Sequence, residues 1–224
     1  SNTISDSYGS GNPGYGAFVY HSHGNTFART TLRKLSATAG AAGLYLNDAS
    51  SNTVTGCFIS NAGGPGADLS SSVNYNLIEL STITAAGNVY TALELGFAKG
   101  NRISRVYVHS DNGSGSTLSS GASETLVENS TFSTYYSGAA ALSTNGSSDT
   151  LSGNMLYAPN GIGLGVFGSS VTTRRNAAFT GSPSFAALYV AGGGYVSVHD
   201  SSFENSAGDG GKLERTSYVD ILRS

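Results

Sequence analysis

The amino-acid sequence predicts an all-β solenoid, in which about nine coils of about 24 residues contribute strands to three parallel sheets. Three observations support this prediction. Apolar positions recur at gaps of 23 to 25 residues, apolar residues come in short alternating triplets, and stretches rich in Gly, Ser and Asn separate the triplets. In a solenoid each repeat buries its apolar face only against its neighbours, so the same positions must recur along the chain.

The first repeated feature is a polar pair followed by an apolar or β-branched residue, which we expect to open a strand in each coil. Its members are Asn2-Thr3-Ile4, Asn25-Thr26-Phe27, Asn52-Thr53-Val54, Asn76-Leu77-Ile78, Asn101-Arg102-Ile103, Glu124-Thr125-Leu126 and Asp149-Thr150-Leu151. This column is the loosest, with one early step of 27 residues.

Two further columns are apolar and supply the other two strands of each coil. The second column consists of Phe58, Ile83, Tyr107, Phe132, Leu156, Phe179 and Phe203. The third column consists of Leu46, Leu69, Leu93, Leu118, Leu142, Val166, Val190 and Leu213. Triplets such as Leu44-Tyr45-Leu46 alternate with a period of two, which is typical of strands with one buried face. Three inward columns per repeat indicate a triangular coil.

On these columns the chain resembles the right-handed parallel β-helix of the pectin-lyase-like superfamily, over about residues 25 to 217. The resemblance implies one β-helix domain over residues 1–224, which we interpret as a segment of a longer chain or assembly. It implies little about activity, because this architecture hosts lyases, hydrolases, epimerases, phage tailspikes and adhesins. β-Helices of this kind often stack Asn side chains at a tight turn, and Asn129, Asn154, Asn176 and Asp200 are expected to form such a stack.

Composition excludes several classes of partner. The formal net charge is −3 and no basic stripe is present, so nucleic-acid binding is disfavoured. No apolar run approaches the roughly 18 residues that a membrane span needs. Cys57 is the single cysteine and is interpreted as a small buried hydrophobe. Neither end of the chain resembles a capping helix, so further coils, a partner chain or self-association at open ends is expected.

The period also identifies one charged column. Glu128, Ser152, Arg175 and His199 are separated by 24, 23 and 24 residues, which predicts neighbours about 4.8 Å apart on one face. Arg174 beside them is expected to interrupt the apolar row of Val127, Leu151 and Val198. The arginines could bind an anion or a uronate, and His199 could carry a proton. The alternative is a solvated corner with incidental charges.

The sequence contains further candidate site residues outside the charged column. Tyr135, Tyr136 and Tyr157, with Tyr107 pointing inward, suggest a tyrosine row that could stack against sugar rings. Asp68 and Glu94 should both point outward as a carboxylate pair or cation site, although Ala92, Thr117 and Ala141 are expected to replace Asp68 in later coils. His109 is expected in an exposed turn without a partner. His21 and His23 lack a third ligand, so no metal or cofactor is predicted.

These features favour a non-catalytic extracellular or cell-surface rod, adhesin-like or part of a fibre, which contacts a polysaccharide or cell-surface glycan. The alternative is a polysaccharide lyase or glycoside hydrolase of the pectin-lyase-like type, with His199, Arg175 and Glu128 as catalytic residues. In the rod, Arg174, Arg175, Tyr135, Tyr136 and Tyr157 would contact the glycan. An ice- or surface-binding face would need a regular outward Thr array, which the sequence lacks.

Overall fold

A computed structural model confirms the three-sheet parallel solenoid and describes residues 1–36, 40–87, 89–119, 121–192, 194–215 and 218–223. In chain order its strands are β1 (Thr3–Ser5), β2 (Tyr8–Gly11), β3 (Ala17–Tyr20), β4 (Thr26–Ala28), β5 (Thr31–Lys34), β6 (Leu44–Asn47), β7 (Thr53–Thr55), β8 (Phe58–Asn61), β9 (Ala67–Ser70), β10 (Leu77–Glu79), β11 (Thr82–Ala85), β12 (Leu93–Gly96), β13 (Arg102–Ser104), β14 (Tyr107–Ser110), β15 (Ser116–Leu118), β16 (Ser123–Glu128), β17 (Thr131–Thr134), β18 (Ala140–Asn145), β19 (Ser148–Ser152), β20 (Met155–Tyr157), β21 (Ile162–Phe167), β22 (Ser170–Arg174), β23 (Ala177–Thr180), β24 (Leu188–Ala191), β25 (Tyr195–His199), β26 (Ser202–Asn205), β27 (Gly211–Glu214) and β28 (Tyr218–Leu222).

Every third strand belongs to the same sheet, and all neighbouring strands are parallel. Sheet one contains the ten strands β1, β4, β7, β10, β13, β16, β19, β22, β25 and β28. Sheet two contains the nine strands from β2 to β26, and sheet three the nine strands from β3 to β27. One coil therefore passes through the three sheets in turn and places its equivalent residues directly beside those of the next coil.

The core fills the space between the sheets, and its register corrects the predicted columns. In sheet one, Ile103 pairs with Val127 rather than with the predicted Leu126, and Val127 with Leu151. In sheet two the inward residues are Ile59, Val108 and Ala178. The predicted Phe58, Tyr107 and Phe179 lie one residue away, on the outer face. Alternation along a strand explains these errors, because a shift of one residue exchanges the two faces.

Sheet three has two inward columns where one was predicted. Leu69 pairs with Leu95, and two residues earlier on the same strands Ala67 pairs with Leu93. Leu69, Leu93 and Leu95 are all fully buried. Leu118 pairs with Thr144, and Leu142 again belongs to the earlier column. Glycine permits close packing at the start of these strands: a Cβ on Gly66 would lie 2.8 Å from the Thr84 carbonyl oxygen.

The corner between sheets one and two is a single left-handed residue in every coil. These residues are Asp6, Arg29, Gly56, Leu80, Arg105, Asn129, Gly153, Arg175, Asp200 and Arg223, with φ between 47° and 67°. The backbone N–H of each of the first nine donates to a carbonyl of the next coil, as Arg175 N–H does to His199 O at 3.0 Å. A one-residue turn changes strand direction without a loop, and the inter-coil hydrogen bonds offset the cost of the left-handed conformation.

Candidate functional site

The predicted charged column exists on the outer face of sheet one, but with Arg174 in place of Arg175. Glu128 pairs with Ser152, Ser152 with Arg174, and Arg174 with His199. The coil between Ser152 and Arg174 is shorter than assumed. Arg175 is the left-handed corner residue, with φ of 52°. Buried Thr173, rather than Arg174, occupies the row of Leu151 and Val198.

The ends of this column are too far apart for joint acid–base chemistry. Glu128 and His199 are three strand spacings apart, which is about 14 Å. An acid and a base that share one glycosidic bond lie at most about 9.5 Å apart. The column therefore does not bring Glu128 and His199 together as a catalytic pair.

The charged groups of sheet one instead bind one another. Glu128 accepts hydrogen bonds from Arg102, with 2.8 Å between Nε and Oε1. Arg105 Nη2 donates to Glu79 Oε2 at 2.8 Å. His199 Nε2 lies 2.6 Å from Ser197 Oγ, and Arg174 Nε lies 3.8 Å from an Asp200 carboxylate oxygen.

At the N-terminal corner, Arg29 binds both carboxylate oxygens of Asp6, at 2.7 and 2.6 Å. These pairs join neighbouring coils, because stacking brings side chains one period apart within reach of each other. Arg29 lowers the pKa of the Asp6 carboxyl, and Asp6 raises that of Arg29. Such exposed pairs contribute little stability and leave few free charges on this face.

Sheet two carries a continuous row of aromatic side chains on its outer face, which we call the aromatic strip. It consists of Tyr107, His109, Tyr135, Tyr157 and Phe179. Successive ring centroids are 6.2, 5.2, 6.3 and 5.6 Å apart. These spacings lie within the range of favourable aromatic pairs.

Ring orientation distinguishes Tyr135 from the rest of the strip. Tyr107 and His109 are nearly parallel at 13°, as are Tyr157 and Phe179 at 9°. The ring of Tyr135 is turned 68° from His109 and 89° from Tyr157, so its faces are not stacked on theirs. Tyr135 is also 55 % exposed. It is therefore the ring of the strip best placed to stack on a ligand.

A polar base holds the strip in place. His109 Nδ1 lies 2.8 Å from Ser133 Oγ, and His109 Nε2 lies 3.0 Å from Asp111 Oδ1. Tyr107 Oη lies 3.4 Å from the same Ser133 hydroxyl. Ser133 is a small residue beside His109 on the adjacent strand, which leaves room for the rings above it.

Two predictions about this region need correction, and one predicted residue, Tyr136, lies outside the strip. Tyr107 points outward and is 43 % exposed, although an inward position was expected. His109 lies on β14 with two partners, not in a free turn. Tyr136 is exposed beyond the end of β17 and, in the part of the chain that the structure describes, makes no ring contact with the strip. The Gly- and Ser-rich surroundings concealed that His109 continues an alternating strand.

A second aromatic group lies on sheet three and was not predicted. Tyr15, Phe18 and Tyr45 form a mutually stacked trio with centroids 5.1 to 5.3 Å apart, and Phe18 also stacks on Tyr20. The signal was present in the sequence, since Phe18 and Tyr45 both sit at outward positions of alternating strands. The pairing of β3 with β6 makes them neighbours.

Asp68 and Glu94 pair directly on the outer face of sheet three, beside this group. Burial raises the pKa of Asp68 to about 6, opposed by the Ser70 hydroxyl and reinforced by the charge of Glu94. Asp68 Oδ1 is buried without a hydrogen-bond partner. The equivalent residues in the adjoining coils are Tyr45 and Thr117, so the predicted replacements Ala92 and Ala141 were wrong.

The histidines near the first coil bind protein groups. His21 contacts the Asp48 carboxylate, and His23 Nδ1 accepts the Ser50 backbone N–H at 3.0 Å. Within the described residues, no cluster of three or more His, Cys, Asp or Glu side chains could hold a metal ion. Among the same residues, no helix has the length and apolar character of a membrane span.

The family model for the right-handed β-helix region matches residues 1–144. The chain belongs to the right-handed β-helix family. No curated protein sequence matches it.

Solved structures share the fold at low sequence identity. A periplasmic alginate epimerase, AlgG, superposes with a TM-score of 0.66 and 14 % identity, covering 92 % of this chain and 62 % of the epimerase. An alginate lyase from a Paenibacillus species gives 0.58 and 14 %, covering 97 % and 92 %. PfbA, a surface adhesin of Streptococcus pneumoniae, gives 0.55 and 13 %, covering 99 % and 70 %.

This β-helix chain spans less than two thirds of the epimerase and 38 % of a glycoside hydrolase that it also resembles. At such identities the likeness describes the fold alone.

Proposed function

We propose that this β-helix is a non-catalytic extracellular or cell-surface rod that binds a glycan through the aromatic strip. The observation that carries the proposal is the unbroken outer row from Tyr107 to Phe179, with the exposed ring of Tyr135, set edge-on to its neighbours, at its centre. Apolar ring faces pack on the C–H faces of sugars, and tyrosine hydroxyls supply hydrogen bonds at the rim.

The length and direction of the aromatic strip fit an extended glycan chain. Neighbouring parallel strands are about 4.8 Å apart, so the strip crosses four strands over roughly 14 Å. Its residues are positioned by the sheet and not by a mobile loop, except for Tyr135, which follows β17 immediately. A rigid platform loses little conformational entropy on binding.

Arg174 and Arg175 lie at the corner between sheets one and two, away from the strip. Arg174 is 59 % exposed in its side chain. We propose that the two arginines contact carboxylates of a uronate-containing chain that runs over the corner onto sheet two. Tyr136, exposed beside Tyr135, is proposed to extend the contact at the far edge.

The proposal is tested by titrating the chain with neutral and uronate-containing oligosaccharides in isothermal calorimetry. We expect saturable binding that is weakened in Tyr135→Ala. The control is Tyr8→Ala, since Tyr8 is exposed by 61 % on another coil. Equal binding by both variants, or no binding of any oligosaccharide in the panel, would refute the glycan-binding role.

A glycan-cleaving enzyme is the second candidate, favoured by the Asp68–Glu94 pair. Adjacent parallel strands place the two carboxyls near the separation used by retaining glycosidases, and a carboxyl with a raised pKa can donate a proton. If the protein is a non-catalytic rod, assays for new reducing ends and for unsaturated uronates should detect no product. Turnover by the wild type that is lost in both Asp68→Asn and Glu94→Gln would refute the non-catalytic rod and support the glycan-cleaving enzyme.

A further inference from the structure

Asparagines, buried in every coil but the first, form a ladder along the start of sheet one. Each of the first four Asn side chains donates from Nδ2 to Oδ1 of the next rung, at distances of 3.2, 2.9, 3.0 and 3.1 Å. The rungs are Asn2, Asn25, Asn52, Asn76 and Asn101. A rung also donates to a backbone carbonyl of a preceding coil, as Asn101 Nδ2 does to Val73 O at 2.8 Å. The amide thus needs both an acceptor and a donor atom.

The amide ladder ends at Asn101, and an acid lies two coils further along the same column. Thr125 follows Asn101 in this column, and its backbone N–H donates to Asp149 Oδ1 at 3.0 Å, as in the asparagine rungs. Asp149 is only 4 % exposed, and its Oδ2, which corresponds to the donor atom of asparagine, has no hydrogen-bond partner. The next residue of the column is the apolar Val171, so no following rung supplies a donor.

The surroundings of Asp149 are short of hydrogen bonds. Five buried side-chain oxygens in the described residues lack a partner, and four of them lie where sheet three turns into sheet one in two consecutive coils. The four are Thr125 Oγ1, Thr144 Oγ1, Ser147 Oγ and Asp149 Oδ2. A carboxylate in such a place would be a buried charge without a counterion, which is strongly unfavourable.

We propose that Asp149 is a buried proton-binding site, held as a neutral carboxylic acid so that Oδ2–H donates as the amide of an asparagine rung does. Losing this proton puts a charge inside the stack and loosens the corner between Ser147 and Asp149. Burial raises the pKa of the Asp149 carboxyl. The nearby Ser147 and Thr125 hydroxyls, which are not aligned for a hydrogen bond to Oδ2, and the Thr125 amide oppose this effect only in part.

The charged groups nearby do not neutralise the site. On β16, Glu124 and Glu128 face outward and pair with Lys99 and Arg102 respectively. On β22, Arg174 also faces outward, toward Asp200. Strand β18 has no charged side chain. Tyr195 lines the groove outside the corner.

Solvent has a short route to this corner. A surface groove of about 530 Å³ on sheet one is lined by Glu124, Thr125, Asp149, Thr172 and Tyr195, among others. Loosening the corner would open this groove inward. Because the folded protein then binds more protons than the unfolded chain, its stability falls as pH rises from the ordinary Asp range through the raised pKa of Asp149.

The experiment compares thermal unfolding of the full chain from pH 4.5 to pH 8 in a matched pair of variants. Asp149→Asn supplies an amide that can donate a hydrogen bond at every pH, as in the asparagine rungs. It should raise the unfolding midpoint by about 2–4 °C at pH 8, with little change at pH 4.5. Asn154→Asp places an acid in a second ladder, where Nδ2 donates to Val127 O and Asn176 Oδ1, both at 2.9 Å. It should lower the midpoint at pH 8 and recover toward pH 4.5.

A direct readout keeps the test valid if Asn154→Asp fails to fold. The ¹³C resonance of the Asp149 carboxyl should report the protonated form well above the ordinary titration range of aspartate. Titration of Asp149 in the ordinary range would overturn the proposal. So would an Asp149→Asn variant that is destabilised at pH 8. A midpoint that rises with NaCl or CaCl₂ in the wild type but not in Asp149→Asn would also overturn it, since a bound cation would then hold the site.

Discussion

The outer faces of sheets one and two have the same backbone geometry but opposite chemistry. On sheet one, cations and carboxylates of neighbouring coils bind each other, as Arg102 and Glu128 do. On sheet two, the rings of the aromatic strip remain exposed, with Tyr135 at 55 %. A face whose polar groups already have partners gains little from a ligand, whereas exposed apolar rings gain by being covered. The comparison favours sheet two over sheet one as the face for the proposed glycan binding.

The largest expected effect comes from removing the strip. Tyr135→Ala combined with Tyr157→Ala should weaken oligosaccharide binding by about tenfold or more, which corresponds to about 1.4 kcal/mol. Both side chains are exposed, so the unfolding midpoint should change little. Calorimetric titration alongside Tyr8→Ala checks this. A loss of binding that accompanies a large fall in the midpoint would instead indicate damage to the fold.

Sheet three sharpens the comparison, because Asp68 and Glu94 adjoin on its outer face and, in the described part of the chain, neither forms an ion pair with a cation. The raised pKa of Asp68 predicts that stability falls as pH rises between about 4 and 6. Asp68→Asn should flatten this part of the pH profile and raise the midpoint near pH 7 by about 2 °C. Thermal unfolding at several pH values in the Asp149→Asn background separates Asp68 from the buried acid. An unchanged profile would show that Asp68 titrates normally.

A smaller effect is expected at the corner between the two faces. Arg174→Ala combined with Arg175→Ala should reduce affinity for uronate-containing oligosaccharides by about threefold at low salt and leave neutral ones unaffected. Calorimetry at two NaCl concentrations measures this. Equal losses for neutral and acidic chains would mean that the arginines act on shape and not on charge.

The smallest effect is expected from the ion pairs of sheet one. Arg102→Gln breaks the contact with Glu128, and because Arg102 is 57 % exposed the cost in unfolding free energy should stay below about 1 kcal/mol. Oligosaccharide binding should be unchanged. Denaturant unfolding together with titration checks both points, and a marked loss of binding would show that sheet one also contacts the ligand.

The sequence repeat predicted the fold closely, but it assigned side chains to the inner or outer face of a strand less well. Periodic apolar residues recovered the coils, and Leu156, Phe132 and Ile83 were correctly placed inside. Phe58 and Tyr107 were placed one residue off, because an aromatic residue is equally compatible with a core and with an exposed row. Within a strand, neighbours face opposite sides, so a period uncertain by one residue cannot assign the face.

The candidate site shows the same limit. The strip residues Tyr135 and Tyr157 were found from their spacing, whereas His109 was missed and Arg175 was exchanged with Arg174. The exchange arose because the coil between Ser152 and Arg174 is short, which only inter-strand pairing reveals. The left-handed corner likewise has no single residue type: Arg29, Leu80 and Gly153 all adopt it.

The sequence by itself determined the solenoid, since each coil must repeat the residues that bury its neighbour's apolar face. Only the tertiary structure decided which side chains meet on the outside and that Asp149 lies in the column of the asparagine ladder. Those contacts join residues one coil apart, and their identity depends on the register of each strand against the next. Hydrogen bonds between coils set that register, and no local pattern in the chain encodes it to a single residue.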